Sequence, residues 1–307
     1  MNDIFEAAEN IAPFAHITPV FTSQIINSVC GCKVYFKCEN LQKAGAFKFR
    51  GATNALLNSK GKDKPVITHS SGNHAGALAK ASAMLHRRCI VVMPETSPAV
   101  KVDAVKYYGA TIVFCKPTLQ AREDTTNRLI SETGAELVHP YNNFYVIAGQ
   151  GTATIEMLST NPEIEVVIAP VGGGGLLSGT SIAAKGIKPF VKVYGAEPAG
   201  ADDAYRSFKA SKIIPSENPN TIADGLLTSL CDLTFEVIKK YTDNILTVSE
   251  ESIVSAMKMI WQYLKIIVEP SGAVSLAAIL DNKTVFSGKN AGLILSGGNI
   301  DLSRLPF

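Results

Sequence analysis

The sequence predicts an α/β protein with two open, mostly parallel sheets and helices on both faces, divided into a large and a small domain. Three observations carry this. Short apolar runs alternate with amphipathic segments from about residue 33 onward. Many of these runs are apolar throughout, as expected when helices cover both faces of a sheet. Turns rich in glycine, serine and asparagine follow several of them, at the strand ends where open α/β sheets gather ligands.

In chain order, strands are expected at 33–39, 65–71, 89–94, 111–116, 136–140, 166–171, 192–198, 245–249 and 292–298. Helical patterns lie between them, at 73–84, 98–108, 118–133, 144–159, 176–186 and 250–265. The last opens with Ser249 and Ser252 after Val248, a pattern suited to an N-cap. Strand–helix–strand repeated this often argues for parallel sheets joined by right-handed crossovers. Residues 65–142 hold four compact strand–helix units and form the expected small domain. Residues 1–64 and 143–307 form the large one, with weak boundary signals at 61–65 and 140–143. No internal repeat, low-complexity tract or long linker is evident.

Composition excludes several classes of function. The chain is 46% hydrophobic and 18% charged, with a net charge of +2. That gives no basis for binding nucleic acid or an anionic membrane. No apolar run is long enough to span a bilayer. The acidic start of the chain lacks a signal-peptide pattern, so a cytoplasmic location is expected. The six cysteines are scattered without a C-x-x-C pair, and read as free structural thiols. The five histidines show no zinc-ligand spacing.

Four sites at predicted strand ends stand out. Gly172, Gly173, Gly174 and Gly175 follow an apolar strand and lead into a helix through Leu176. Backbone N–H groups in such a turn can converge on one spot, and the helix N-terminus adds partial positive charge. The object predicted is a phosphate cradle. Lys48 stands between Phe47 and Phe49 in a glycine-flanked turn. A desolvated lysine there has a lowered amine pKa and attacks carbonyls, although alone it also reads as a surface lysine at a helix start. Ser70, Ser71, Asn73 and His74 supply short donors and acceptors after the 65–71 strand, or an ordinary N-cap. Ser296 precedes the turn 297–299, which also reads as a tight turn near the chain end.

Taken together, and with THSSGNH (68–74), VIAGQGT (146–152), PVGGGGL (170–176), AEPAGADD (196–203), TIADG (221–225), VEPSGA (268–273) and LSGGN (295–299) in order, the chain resembles the serine racemase and serine/threonine dehydratase family. These are pyridoxal-phosphate (PLP) enzymes of the tryptophan synthase β-type fold. The resemblance covers essentially the whole chain. It implies that Lys48 holds PLP covalently, that Gly172 to Gly175 and Leu176 bind its phosphate, that Asn73 bonds its ring hydroxyl, that Phe47 packs on the ring, and that Ser296 faces the pyridine nitrogen. It implies a substrate-carboxylate segment of Ser70, Ser71, Asn73 and His74, with Arg122 and Glu269 close to the site. Glu197, the Ala201 carbonyl and Asp203 match a divalent-cation site for Mg²⁺, Ca²⁺ or Mn²⁺. Two carboxylates with carbonyls and waters do suit a hard cation, although acids at a helix start read the same way. A homodimer is implied, and no C-terminal regulatory domain is expected.

The activity implied is interconversion of L- and D-serine, with elimination of serine to pyruvate and ammonia. The alternative is a dehydratase of serine, threonine or 3-hydroxyaspartate without racemisation. Inversion needs proton carriers on both faces of the α-carbon. Lys48 is one, and Ser71 matches the other. Ala46 departs from the family, where Ser or Thr is common. A nicotinamide-binding reading fails on spacing, since Gly172 and Gly174 lead to Leu177, and Gly173 and Gly175 to Ser178.

Overall fold

The computed structural model describes residues 1–307 except Ser71, Pro98 and the side chain of Leu119. Ten strands lie among the described residues: β1 (Val20–Phe21), β2 (Lys33–Cys38), β3 (Val66–His69), β4 (Cys89–Pro94), β5 (Thr111–Cys115), β6 (Glu136–Leu137), β7 (Val166–Pro170), β8 (Lys192–Pro198), β9 (Asn244–Val248) and β10 (Asn290–Leu295). They form a six-stranded sheet in the order β1-β2-β10-β7-β8-β9 and a four-stranded sheet in the order β5-β4-β3-β6. Every pairing is parallel except that of β1 with β2.

The continuous apolar runs follow from burial on both faces. Successive strand side chains point to opposite faces. Val34, Phe36, Val166, Ile168 and Leu293 enter one core beside the helix Pro270–Asp281. Tyr35, Val167, Ala169, Val193 and Ile294 enter the other, against Leu177 and Ala184 of the helix Gly175–Ile187. The smaller sheet divides likewise, with Val66, Val91 and Met93 on one side and Ile67 and Val92 on the other.

All four strands of the smaller sheet fall within 65–142, the stretch for which we propose a domain of its own. Its core also takes in Phe49, Ala52 and Leu56 from the helix Lys48–Leu57, which packs against the helices Asn73–Met84 and Phe144–Thr160. Some expected boundaries shift. The 65–71 strand ends at His69 and the 292–298 strand at Leu295, where the chain turns to expose polar groups. The helical stretch 250–265 is α-helical only to Met259. It then widens into a π turn, Ile260–Leu264, closed by Lys265 in left-handed backbone, φ 59°. Elements without a counterpart in the expected list include the helices Asn2–Ile11, Gln24–Cys30, Asp203–Ala210 and Asp232–Tyr241. No helix of the described residues is long and apolar enough to cross a membrane. All six cysteines are free, and five are buried.

Candidate active site

A cavity of about 460 Å³ opens where β3, β6, β7 and β10 end. Phe47, Lys48, Ser70, Asn73, His74, Arg122, Gly172 to Gly175, Leu176, Glu269 and Ser296 all line it, although they come from distant parts of the chain. Ser71 lies outside the described residues.

Lys48 is the first residue of its helix, and its entry is pinned to the end of β10. Phe47 N–H donates to Ser296 O at 3.0 Å, Gly298 N–H to Gly45 O at 2.9 Å, and Ala46 bridges Gly297. Lys48 Nζ donates to Pro140 O at 2.9 Å and stands 5.2 Å from the Phe47 ring centre. Burial lowers its pKa from 10.5 to about 8. A sizeable fraction is therefore the neutral amine near pH 8, the form that attacks a carbonyl.

Two residues on, Arg50 is fully buried and anchors this helix. It holds Glu39 through two bonds of 2.7 and 2.9 Å, and Glu156 through bonds of 2.6 and 2.8 Å. Lys37 Nζ completes the group, 2.5 Å from Glu156 and 2.7 Å from Thr18 O. Burial alone would raise the Glu39 pKa, but Arg50 and Lys37 hold it below the ordinary value. Two cations and two carboxylates thus balance beneath the lysine turn.

The glycine turn begins one residue after β7. Gly174 caps the helix Gly175–Ile187 with φ 84°, a conformation that glycine adopts without strain. Its neighbours are small for a second reason. A Cβ on Gly173 would collide with the Tyr141 ring, and one on Gly172 would come within 3.0 Å of Leu226 Cα. The helix carries no side-chain N-cap. Its first N–H groups lack intrahelical partners and point at the turn, a seat for an anion.

The polar groups across the cavity are mutually oriented. Asn73 Nδ2 donates to Glu269 Oε1 at 2.6 Å, and Asn73 Oδ1 accepts from Asn299 at 2.9 Å. Burial first, and then the nearby Asp224, raise the Glu269 pKa to about 7. His74 is buried with its pKa pushed down to about 3, and its Nε2 bonds Val138 O at 3.0 Å. Its imidazole is therefore neutral and tied back toward β6, so it brings no charge to a carboxylate. Arg122 Nε is buried without a hydrogen-bond partner among the described residues.

Sequence reasoning missed several lining residues. Lys101, in the helix Ala99–Tyr107, forms an ion pair with Asp224 across the cavity. Those residues stand 123 positions apart, so no local spacing links them. Tyr141 was legible only as part of a boundary signal. It stacks edge-on to His139, with centroids 4.6 Å apart, and backs the glycine turn.

Away from the cavity, Glu197 is buried and accepts N–H bonds from Ala204 at 3.0 Å and Tyr205 at 2.8 Å. Burial still raises its pKa to about 9. Burial likewise raises Asp203 to about 6. Ser216 lies close enough to favour the charged form of Asp203, yet neither Asp203 oxygen completes a hydrogen bond among the described residues. A buried carboxylate without partners is one that a hard cation would satisfy.

Comparison with known proteins agrees with this chemistry. Residues 11–297 match the family described as pyridoxal-phosphate dependent enzyme. The chain is 50% identical to a serine racemase of Dictyostelium discoideum, over 99% of this chain and 96% of that one. It is 48% identical to a beta-hydroxyaspartate dehydratase of Paracoccus denitrificans, over 99% and 98%. A crystal structure of the Dictyostelium discoideum serine racemase superposes with a TM-score of 0.94, covering 98% of each chain.

Proposed function

The chain belongs to the pyridoxal-phosphate dependent enzymes, and from that premise we propose that it interconverts L- and D-serine and also eliminates serine to pyruvate and ammonia. The observation that carries this reading is a buried, low-pKa lysine facing a glycine anion cradle in one cavity, in a chain half identical to a serine racemase along its whole length. When bound, pyridoxal phosphate supplies an electron sink that acidifies the α-hydrogen of an attached amino acid.

The residues supply the rest. The N–H groups of Gly172 to Gly175 and Leu176 would hold the phosphate without a cationic side chain. Phe47 would pack against the pyridine ring, and Asn73 would bond its hydroxyl. Ser296, a neutral hydroxyl, would meet the ring nitrogen without fixing a proton there. The substrate carboxylate would sit against the free N–H groups that open the helix Asn73–Met84, beside the Ser70 hydroxyl. Lys48 Nζ would take the α-proton as general base. If Ser71 Oγ returns a proton to the opposite face, the α-carbon inverts. If the β-hydroxyl instead departs with a proton as water, hydrolysis of the remaining three-carbon unit yields pyruvate and ammonia. Ser71→Ala should therefore abolish D-serine formation while sparing pyruvate formation from L-serine. Equal loss of both would remove Ser71 from this role.

A Mg²⁺ ion, or Ca²⁺ or Mn²⁺, would be held by Glu197, the Ala201 carbonyl and Asp203, and would stabilise the fold rather than take part in chemistry. Its support is the buried Asp203 carboxylate, without a hydrogen-bond partner among the described residues, beside the buried Glu197. The exposed Ile17, Ile25, Val29 and Leu41 support a surface that a second copy would cover in a homodimer.

One observation favours a second reading. Arg122 lines the cavity, and its buried Nε has no hydrogen-bond partner among the described residues. A substrate with a side-chain carboxylate would satisfy it, which would make 3-hydroxyaspartate the preferred substrate and elimination the main outcome.

A further inference from the structure

The donor and acceptor logic around Asn73 starts from a backbone carbonyl. Ala44 stands in the turn that leads to Lys48, in left-handed backbone at φ 57°. Its carbonyl can only accept a hydrogen bond. Asn299 Nδ2 lies 2.8 Å from that oxygen, so this end of the Asn299 amide is the donor. The same nitrogen lies 2.9 Å from Asn73 Oδ1, which commits its second proton. The Asn73 amide is thereby turned with its nitrogen toward Glu269, and Nδ2 donates to Oε1 at 2.6 Å. One Asn73 Nδ2 proton is left for the cavity. Flipping Asn73 would set oxygen against oxygen at Glu269 and donor against donor at Asn299.

The backbone is shaped around this arrangement. Gly45 has φ 69°, and a Cβ there would occupy the place of the Asn299 amide. Gly298 N–H closes the turn onto Gly45 O at 2.9 Å. Glu269 is placed by its own N–H, which donates to Gly297 O at 3.0 Å, and a Cβ on Gly297 would collide with its carboxylate. The turn that leads into Lys48 and the residue aimed at the cofactor ring are thus joined through one side chain in the turn after the last strand.

We propose that Asn299 is a positioning residue, which fixes the amide orientation of Asn73 and so keeps the Asn73–Glu269 pair aimed at the ring hydroxyl of the cofactor. This rests on the reading of Asn73 as the ligand of that hydroxyl. Asn299 itself is exposed, so replacing it opens no core.

The test is a double-variant cycle read by PLP titration of the apoprotein and by the visible absorption of the loaded protein. Asn299→Asp keeps the shape but loses the donor, and Asn299→Ala loses it without adding charge. Each should weaken PLP binding about tenfold, the scale of one lost hydrogen bond, and shift the visible band and its pH titration. The thermal midpoint of the apoprotein should stay where it is. In an Asn73→Ala background neither change should have a further effect, because no amide remains to be oriented. A wild-type spectrum and affinity in both Asn299 variants, or fully additive losses with Asn73→Ala, would overturn this proposal alone. If the unaltered protein takes up no PLP, the reading beneath it falls, and the proposal with it.

Discussion

Lys48 shows how a single residue acquires its chemistry from its surroundings. An exposed lysine holds its proton to a pH near 10.5, but burial between Phe47, Pro140 and the glycine turn lowers that to about 8. The charged form is the one destabilised, so the neutral amine gains population as the pH rises through 8. The rate of PLP capture by the apoprotein should therefore climb with pH and level off slightly above 8. A rate still rising steeply at pH 10 would mean an unperturbed amine. The desolvation was legible in the sequence, because two phenylalanines flank the lysine. Its partner was not, since the Pro140 carbonyl lies 92 positions away and depends on how the two sheets meet. The neutral state of His74 was equally hidden. A histidine after Ser-Gly-Asn reads as a ligand-facing group, and only packing shows its ring bonded to Val138.

At the scale of elements, the strands were the most legible part of the fold. Runs such as 89–94 and 166–171 are apolar on both faces, and only a doubly covered strand makes that favourable. The interruption at 260–264 was not legible, because a π turn keeps nearly the same apolar spacing as the α-helix before it. The glycine turn was legible as an anion seat, but the close approach of Tyr141 that makes Gly173 necessary was not. Gly173→Ala should cost most of the PLP affinity, read by titration. Tyr141→Ala in the same chain should restore part of it by making room for the methyl group. No recovery in the double variant would show that the ring is not what excludes the side chain. The buried group of Arg50, Glu39, Glu156 and Lys37 was also invisible locally, since its members come from four elements. Removing one partner would strand the others, at a cost of roughly 3–5 kcal/mol. Arg50→Ala should accordingly lower stability by about that amount in urea unfolding; a loss under 1 kcal/mol would mean that water reaches the group.

Across the whole molecule, one mostly parallel and one parallel sheet turn their strand ends toward one cavity, and the acids at 197 and 203 lie apart from it, outside its lining. The cation we propose at those acids would therefore stabilise the fold without touching substrate. Mg²⁺ should raise the thermal midpoint of the native protein, and Asp203→Ala should abolish that response. A variant that responds as before would return Asp203 to the role of a helix-start acid. The fate of serine is decided by incubating purified protein with PLP, Mg²⁺ and L-serine and assaying D-serine and pyruvate in the same tube. Both products should form, with D-serine at a rate comparable to pyruvate. Pyruvate without D-serine would exclude racemisation and leave a dehydratase, for which Arg122 points to 3-hydroxyaspartate as the next substrate to test.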